Sequence, residues 1–174
     1  MNTNKPEPLI ASFQVDHTRI GYGIFVSRRD VVNGAYVTTF DIRMKRPNAE
    51  PAIHPNAMHT IEHIVATYLR NSSFKEHVVY WGPMGCLTGF YFITNTDNEI
   101  QPREIEKLVR AAFRHLATYK GEVPGATPVN CGNYLLHDLP MAKHEAKVFL
   151  EKDWKFDYPK AKRAKDGDRT FFDA

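Results

Sequence analysis

The chain has 174 residues, 43% of them hydrophobic and 25% charged, which is the size and balance of one globular domain and excludes a disordered or fibrous polymer. The formal charge of +3 is mild, and much of the positive excess lies between Lys155 and Arg169, so it reads as a solvated terminus and no nucleic-acid-binding face is expected. No run of about 18 apolar residues predicts a membrane span, and residues 1–8 lack the apolar stretch of a secretory signal, so the expected location is the cytoplasm.

In chain order, residues 22–27 form a short strand candidate. Residues 34–44 alternate more clearly, with Tyr36, Thr38, Phe40 and Ile42 on one face and Val37, Thr39, Asp41 and Arg43 on the other. Val32-Asn33-Gly34 supplies a turn between the two. Residues 57–70 carry apolar side chains at helical spacing (Met58, Ile61, Ile64, Val65, Tyr68, Leu69), with Asn56 as candidate N-cap. Residues 76–81 and 87–95 are rich in Val, Tyr, Phe, Ile and Thr, with Gly82-Pro83 breaking between them. A second helix is expected over 102–120, with Pro102 in its first turn and Gly121 at its end. A third is expected over 140–154, after Asp138 as cap. Antiparallel strands with interspersed helices predict an α+β fold, a single-domain two-layer sandwich with a mainly antiparallel sheet and helices packed on one face. The body spans residues 9–154, between an extension at 1–8 and a charged tail at 155–174.

The strongest local signal is His59-Thr60-Ile61-Glu62-His63 within the first helix. Residues at i and i+4 share a helix face, so His59 and His63 can point at one ion, and imidazole is a common metal ligand. Glu62 sits on the neighbouring edge of that face, where a carboxylate can act as a general base without being a ligand. A surface pair of histidines is the ordinary alternative; the core stripe through Ile61, Ile64 and Val65 argues against it by placing the His/Glu face beside the core. A catalytic site normally has three protein ligands and an open position. The chain has two cysteines, Cys86 after Gly85 and Cys131 before Gly132, and in a reducing compartment such a pair points to metal or catalysis more than to a disulfide. Spacing does not choose between them.

Five motifs in order extend the signal. They are Ser12-Phe13-Gln14-Val15-Asp16-His17-Thr18; Asp41-Ile42-Arg43 followed by Pro47-Asn48; His59-Thr60-Ile61-Glu62-His63; Pro83-Met84-Gly85-Cys86 with Thr88-Gly89-Phe90-Tyr91; and Cys131-Gly132. Over residues 9–150 this order resembles the S-ribosylhomocysteine lyases. The resemblance implies that His59, His63 and Cys131 hold one divalent metal per subunit, iron(II) natively, with zinc or cobalt able to occupy the site. It implies that Cys86 is a free thiol acting as general acid/base, that Glu62 is the second proton carrier, and that Ser12, His17 and Arg43 contact substrate. It further implies a homodimer with active sites at the subunit interface. The reaction would be carbonyl migration along the ribose followed by β-elimination to homocysteine and 4,5-dihydroxy-2,3-pentanedione, the autoinducer-2 precursor used in quorum sensing and left by the methyl cycle. Gly82 and Leu87 depart from the family pattern, in which Ser and Arg or Gln are common. The rival readings are an inverzincin metallopeptidase, which shares H-x-x-E-H, and a non-enzymatic metal domain with a closed four-ligand site in which both cysteines join His59 and His63.

Overall fold

A computed structural model describes residues 15–159. Strand β1 (Gly23–Val32) and strand β2 (Ala35–Arg43) form a hairpin whose two-residue turn places both Asn33 and Gly34 at positive φ, 51° and 85°. That geometry is the one Asn-Gly favours, because it matches the twist of the flanking strands. β1 extends well past the expected strand at 22–27. Its second half, Arg28 to Val32, is polar or exposed, yet register with β2 carries it to the turn. β3 (Val78–Pro83) and β4 (Gly89–Thr96) complete a four-stranded antiparallel sheet in the order β1-β2-β4-β3.

Two strand boundaries differ from expectation for local reasons. Residues 75–77 coil into a 3₁₀ turn before β3 begins. Gly82-Pro83 does not break the sheet but ends β3, pairing with Tyr91 and Phe90. An edge strand tolerates Pro because its missing donor can face away from the ladder. The reversal falls at residues 84–88, where Leu87 adopts φ 57° and Leu87 N donates to Met84 O. Gly89 is demanded by close approach, since a Cβ there would stand 2.3 Å from the backbone oxygen of Ile42.

Helices α1 (Pro55–Arg70), α2 (Pro102–Ala117) and α3 (Leu139–Leu150) cover one face of the sheet. The cap of α1 is His54, whose Nδ1 accepts from Asn56 N; Asn56 itself lies inside the helix, which starts at Pro55. Proline suits a first helical position because that N–H has no intrahelical partner to lose. α2 ends at Ala117, short of Gly121, where the Thr118 hydroxyl turns back to donate to Arg114 O. Asp138 does cap α3, accepting from Met141 N at 2.9 Å. α3 stops at Leu150, and Trp154 folds back so that its indole donates to Phe149 O. The alternation of β2 puts Phe40 and Ile42 under the helices, together with Phe90 and Phe92 of β4, Ile61 and Val65 of α1, and Phe113 of α2. Trp81, Phe113, Phe149 and Trp154 run through this core as a chain of ring contacts, 4.3 to 6.1 Å between centroids.

The chain keeps packing beyond residue 154. Lys155 forms a parallel bridge outside β1, donating to Tyr22 O and accepting from Ile24 N, both at 2.9 Å. Phe156 lies under Arg103, and Tyr158 stacks on Phe25 at 4.8 Å on the sheet face opposite the helices. The rest of the expected tail, residues 160–174, lies outside the described residues. Among those described, no helix is long and apolar enough to cross a membrane.

Candidate metal centre and the second polar cluster

His59 and His63 stand one turn apart on α1, and each is braced through its Nδ1 by a loop carbonyl. His59 Nδ1 lies 2.9 Å from Leu136 O and His63 Nδ1 lies 2.7 Å from Pro124 O. A carbonyl only accepts, so both Nδ1 atoms carry hydrogen and both Nε2 atoms present bare lone pairs. The two Nε2 atoms are 3.0 Å apart, on rings nearly perpendicular at 89°. Lone pairs facing each other at that distance repel unless a cation lies between them. Tetrahedral ligation of one ion brings two imidazole nitrogens to about 3.3 Å. Cys131 Sγ stands 3.4 Å from His59 Nε2 and accepts from Asn133 N.

A fourth donor joins them, which the sequence reading missed. Ligand atoms of His59, His63, Cys131 and His137 all lie within 4.8 Å of one another. The buried hydroxyl of Thr60 donates its one hydrogen to Asn56 O and accepts from Asp138 N. His137 Nδ1, 3.2 Å from the same hydroxyl, must therefore be a donor. Its Nε2 is left bare, buried and without a hydrogen-bond partner. Burial, then the neighbouring His59 and His63, push His137 down to about 4. The cluster thus offers three imidazole lone pairs and one thiol with fixed outer partners, a donor set that fits a divalent transition metal. No periodicity marks His137: it follows Cys131 by six residues in a loop, immediately before the cap of α3.

Glu62 is half-buried on the same helix, and among the described residues no hydrogen bond or ion pair engages its carboxylate. Cys86 is not one of the four clustered donors. It sits in the β3–β4 reversal, exposed, with Sγ 3.0 Å from the Thr88 hydroxyl and 3.8 Å from Arg43 Nη1.

Arg43 is held on the sheet face opposite the helices. It donates to both oxygens of Asp41 and, through Nη1 at 2.6 Å, to Thr88 Oγ1. The pair is buried, with 2% of Asp41 and 3% of Arg43 exposed, and Tyr158 donates to the Asp41 carboxylate at 3.0 Å. Burial pushes the Asp41 carboxyl up against the pull of Arg43; for Arg43, burial is outweighed by the same carboxylate and the guanidinium is held above its ordinary value. The bidentate geometry decides in favour of the ion pair, because a neutral carboxyl would strand a buried guanidinium. His17 donates through Nδ1 to Val15 O and is close enough to Asp41 to lower its carboxyl electrostatically. Ser12 lies outside the described residues. The expected site residues therefore form two groups: His59, His63 and Cys131 in the helix layer, and Arg43 and Cys86, with His17 near Asp41, at the sheet. A cavity of about 520 Å³ beside Arg103, Arg110 and Trp154 includes none of them.

A sequence profile of the S-ribosylhomocysteinase (LuxS) family matches residues 10–159. The chain is 56% identical over 142 residues to an S-ribosylhomocysteine lyase of Phocaeicola vulgatus, covering 81% of this chain and 87% of that one. It is 54% identical to one from Porphyromonas gingivalis, over 81% and 88% of the two chains. It is 49% identical to one from Clostridium acetobutylicum, over 80% and 88%.

Proposed function

The chain belongs to the S-ribosylhomocysteinase (LuxS) family, and on that premise we propose that it cleaves the carbon–sulfur bond of S-ribosylhomocysteine with a divalent metal held by His59, His63 and Cys131. The observation that carries the reading is the pair of bare Nε2 atoms, 3.0 Å apart with the Cys131 thiol beside them. The native ion is iron(II), with zinc or cobalt able to replace it. When bound, the ion supplies Lewis acidity that polarises carbonyl and hydroxyl oxygens of the ribose chain.

The protein's own groups move the protons. Cys86 takes and returns them as the carbonyl migrates along the chain, with the Arg43 guanidinium 3.8 Å from its sulfur. Thr88 orients the thiol. Glu62, with no protein partner among the described residues, is the base for the elimination that follows. His17, Arg43 and Ser12 hold substrate oxygens and the homocysteine part. Elimination places the departing electron pair on sulfur, which leaves as homocysteine, and the carbon product is 4,5-dihydroxy-2,3-pentanedione. No oxidant, reductant or water is consumed.

The active unit is a homodimer with its sites at the subunit interface. Two features support this. The Cys86 and metal clusters occupy opposite layers of one chain, and the loop carrying Cys131 exposes Val129 (92%) and Leu135 (75%). Covering such apolar side chains is what an interface does. No observation favours the peptidase or closed-site alternatives. Incubating the metal-loaded protein with S-ribosylhomocysteine should release homocysteine, detected by a thiol reagent, and prior chelation should abolish the signal. Cleavage of a peptide pool without homocysteine release would refute the lyase reading.

A further inference from the structure

His137 is the one member of the donor cluster that the proposed chemistry leaves unused. Its geometry separates two possible uses. The ring stacks on His59 with centroids 4.3 Å apart and planes only 16° from parallel. Rings in that contact lie about 3.5 Å apart plane to plane. An imidazole ligates in its own plane at about 2.0–2.1 Å. An ion in the plane of His59 is therefore too far from the plane of His137 for both rings to bind it. His63 has no such conflict, since its ring is perpendicular to that of His59. His137 is thus excluded as a fourth ligand.

What remains is a lone pair that needs a hydrogen. The Thr60 hydroxyl fixes the His137 Nδ1 hydrogen, and that hydroxyl is itself fixed by Asn56 O and Asp138 N, so ring and tautomer are both set. Nε2 is buried, unpartnered, and within 4.8 Å of the other three donors. A lone pair held there lies out of the His59 plane and within 4.8 Å of the three ligand atoms, where a group filling the open position of a three-ligand site could reach it.

We propose that His137 Nε2 is a built acceptor for a substrate hydroxyl seated in that open position, selecting a hydroxylated carbon chain and fixing its orientation. The inference rests on the lyase reading and adds to it a residue that binds substrate without touching the ion. It also assigns Thr60 and Asp138 a positioning role through the Nδ1 hydrogen.

The test compares His137→Leu and His137→Gln with the parent protein. The Thr60 hydroxyl keeps its two backbone partners in both, so folding is spared, and thermal unfolding checks this. With cobalt loaded, metal content and the absorption spectrum before substrate is added should match the parent in both variants. kcat/KM on S-ribosylhomocysteine should fall about 10²-fold in His137→Leu, the scale of one lost hydrogen bond to a reacting group. His137→Gln, whose side-chain oxygen can accept, should recover part of the loss. Loss of metal or an altered resting spectrum would make His137 a ligand and overturn the proposal. Unchanged kcat/KM in His137→Leu would overturn it as well, while the lyase reading stood. Absence of thiol release from the parent would instead remove the lyase reading and this one together.

Discussion

The surroundings of the two cysteines assign them different work. Cys131 has an imidazole nitrogen at 3.4 Å and a backbone N–H aimed at its sulfur; Cys86 has a hydroxyl and a guanidinium. Replacing Cys131 by Ala should therefore strip the metal on gel filtration and abolish activity. Cys86→Ala should keep its metal and lose roughly 10²–10⁴ in kcat, the range of a general acid/base. Metal analysis of the two proteins decides the matter, and loss of metal from Cys86→Ala would reverse the assignment. The sequence alone left this tie open because a ligand's identity lies in a contact spanning 72 positions, Cys131 to His59, that no local pattern records. The i,i+4 histidines were legible for the opposite reason, since helix geometry alone brings them together.

Tyr158 is a second residue whose role was invisible in sequence, where it looked like part of a charged tail. Its hydroxyl is buried against Asp41, and burial, then the Asp41 charge, raises its pKa above the ordinary tyrosine value. The folded chain thus keeps a proton that the unfolded chain loses near about pH 10. Unfolding in that range releases a proton, so stability is complete below about pH 10 and falls as pH rises toward the raised folded value. Tyr158→Phe keeps the stack on Phe25 but removes the hydroxyl. It should cost about 1.5–3 kcal/mol at neutral pH, the scale of a hydrogen bond to a charged group. Above pH 10 its urea midpoint should fall less steeply than the parent's; parallel curves would show that Tyr158 ionises freely.

At the scale of elements, the interiors of strands and helices were legible and several ends were not. β2 and the stripes of α1 and α2 follow from periodicities of 2 and 3.6 that burial enforces. The ends depend on individual bonds. His54 caps α1 through a ring nitrogen, a role ranked below Asn in general preference. Thr118 and Trp154 turn back on α2 and α3 before the glycine or the predicted boundary is reached. The β3–β4 reversal shows the same dependence, and it matters most because it carries Cys86. Leu87 occupies a left-handed conformation that a branched side chain adopts at a cost, and Gly89 lets β2 pass close by. Gly89→Ala would drive a methyl into Ile42 O, backbone that cannot swing aside. We expect a loss of about 2 kcal/mol or more in urea unfolding. Activity should fall further than stability explains, because Thr88 and Cys86 move with the strand end. A variant as stable and active as the parent would show that the sheet accommodates the methyl there.

At the scale of the molecule, the sandwich separates what the chemistry must join. His59, His63 and Cys131 belong to the helix layer and its loops, whereas Arg43 and Cys86 are on the opposite face of the sheet, with Phe40 and Ile42 of the core between them. Among the described residues no hydrogen bond or ion pair links the groups. In a closed two-fold dimer each site can take its metal from one chain and its thiol from the other, since symmetry supplies both halves twice. That arrangement makes a prediction that a site built within one chain does not share. His59→Ala has no metal site but an intact Cys86; Cys86→Ala has the reverse; neither alone should keep more than about a hundredth of parental activity. Mixed under conditions that exchange subunits, half of the dimers become heterodimers. In each, one site combines both defects and the other pairs the intact metal cluster of one chain with the intact thiol of its partner. About a quarter of parental activity should return, one working site in half of the dimers. Activity that stays at that residual level, with heterodimers confirmed by a size-tagged subunit, would place metal and thiol in the same chain's site. The layer separation would then have to close by a rearrangement within the subunit.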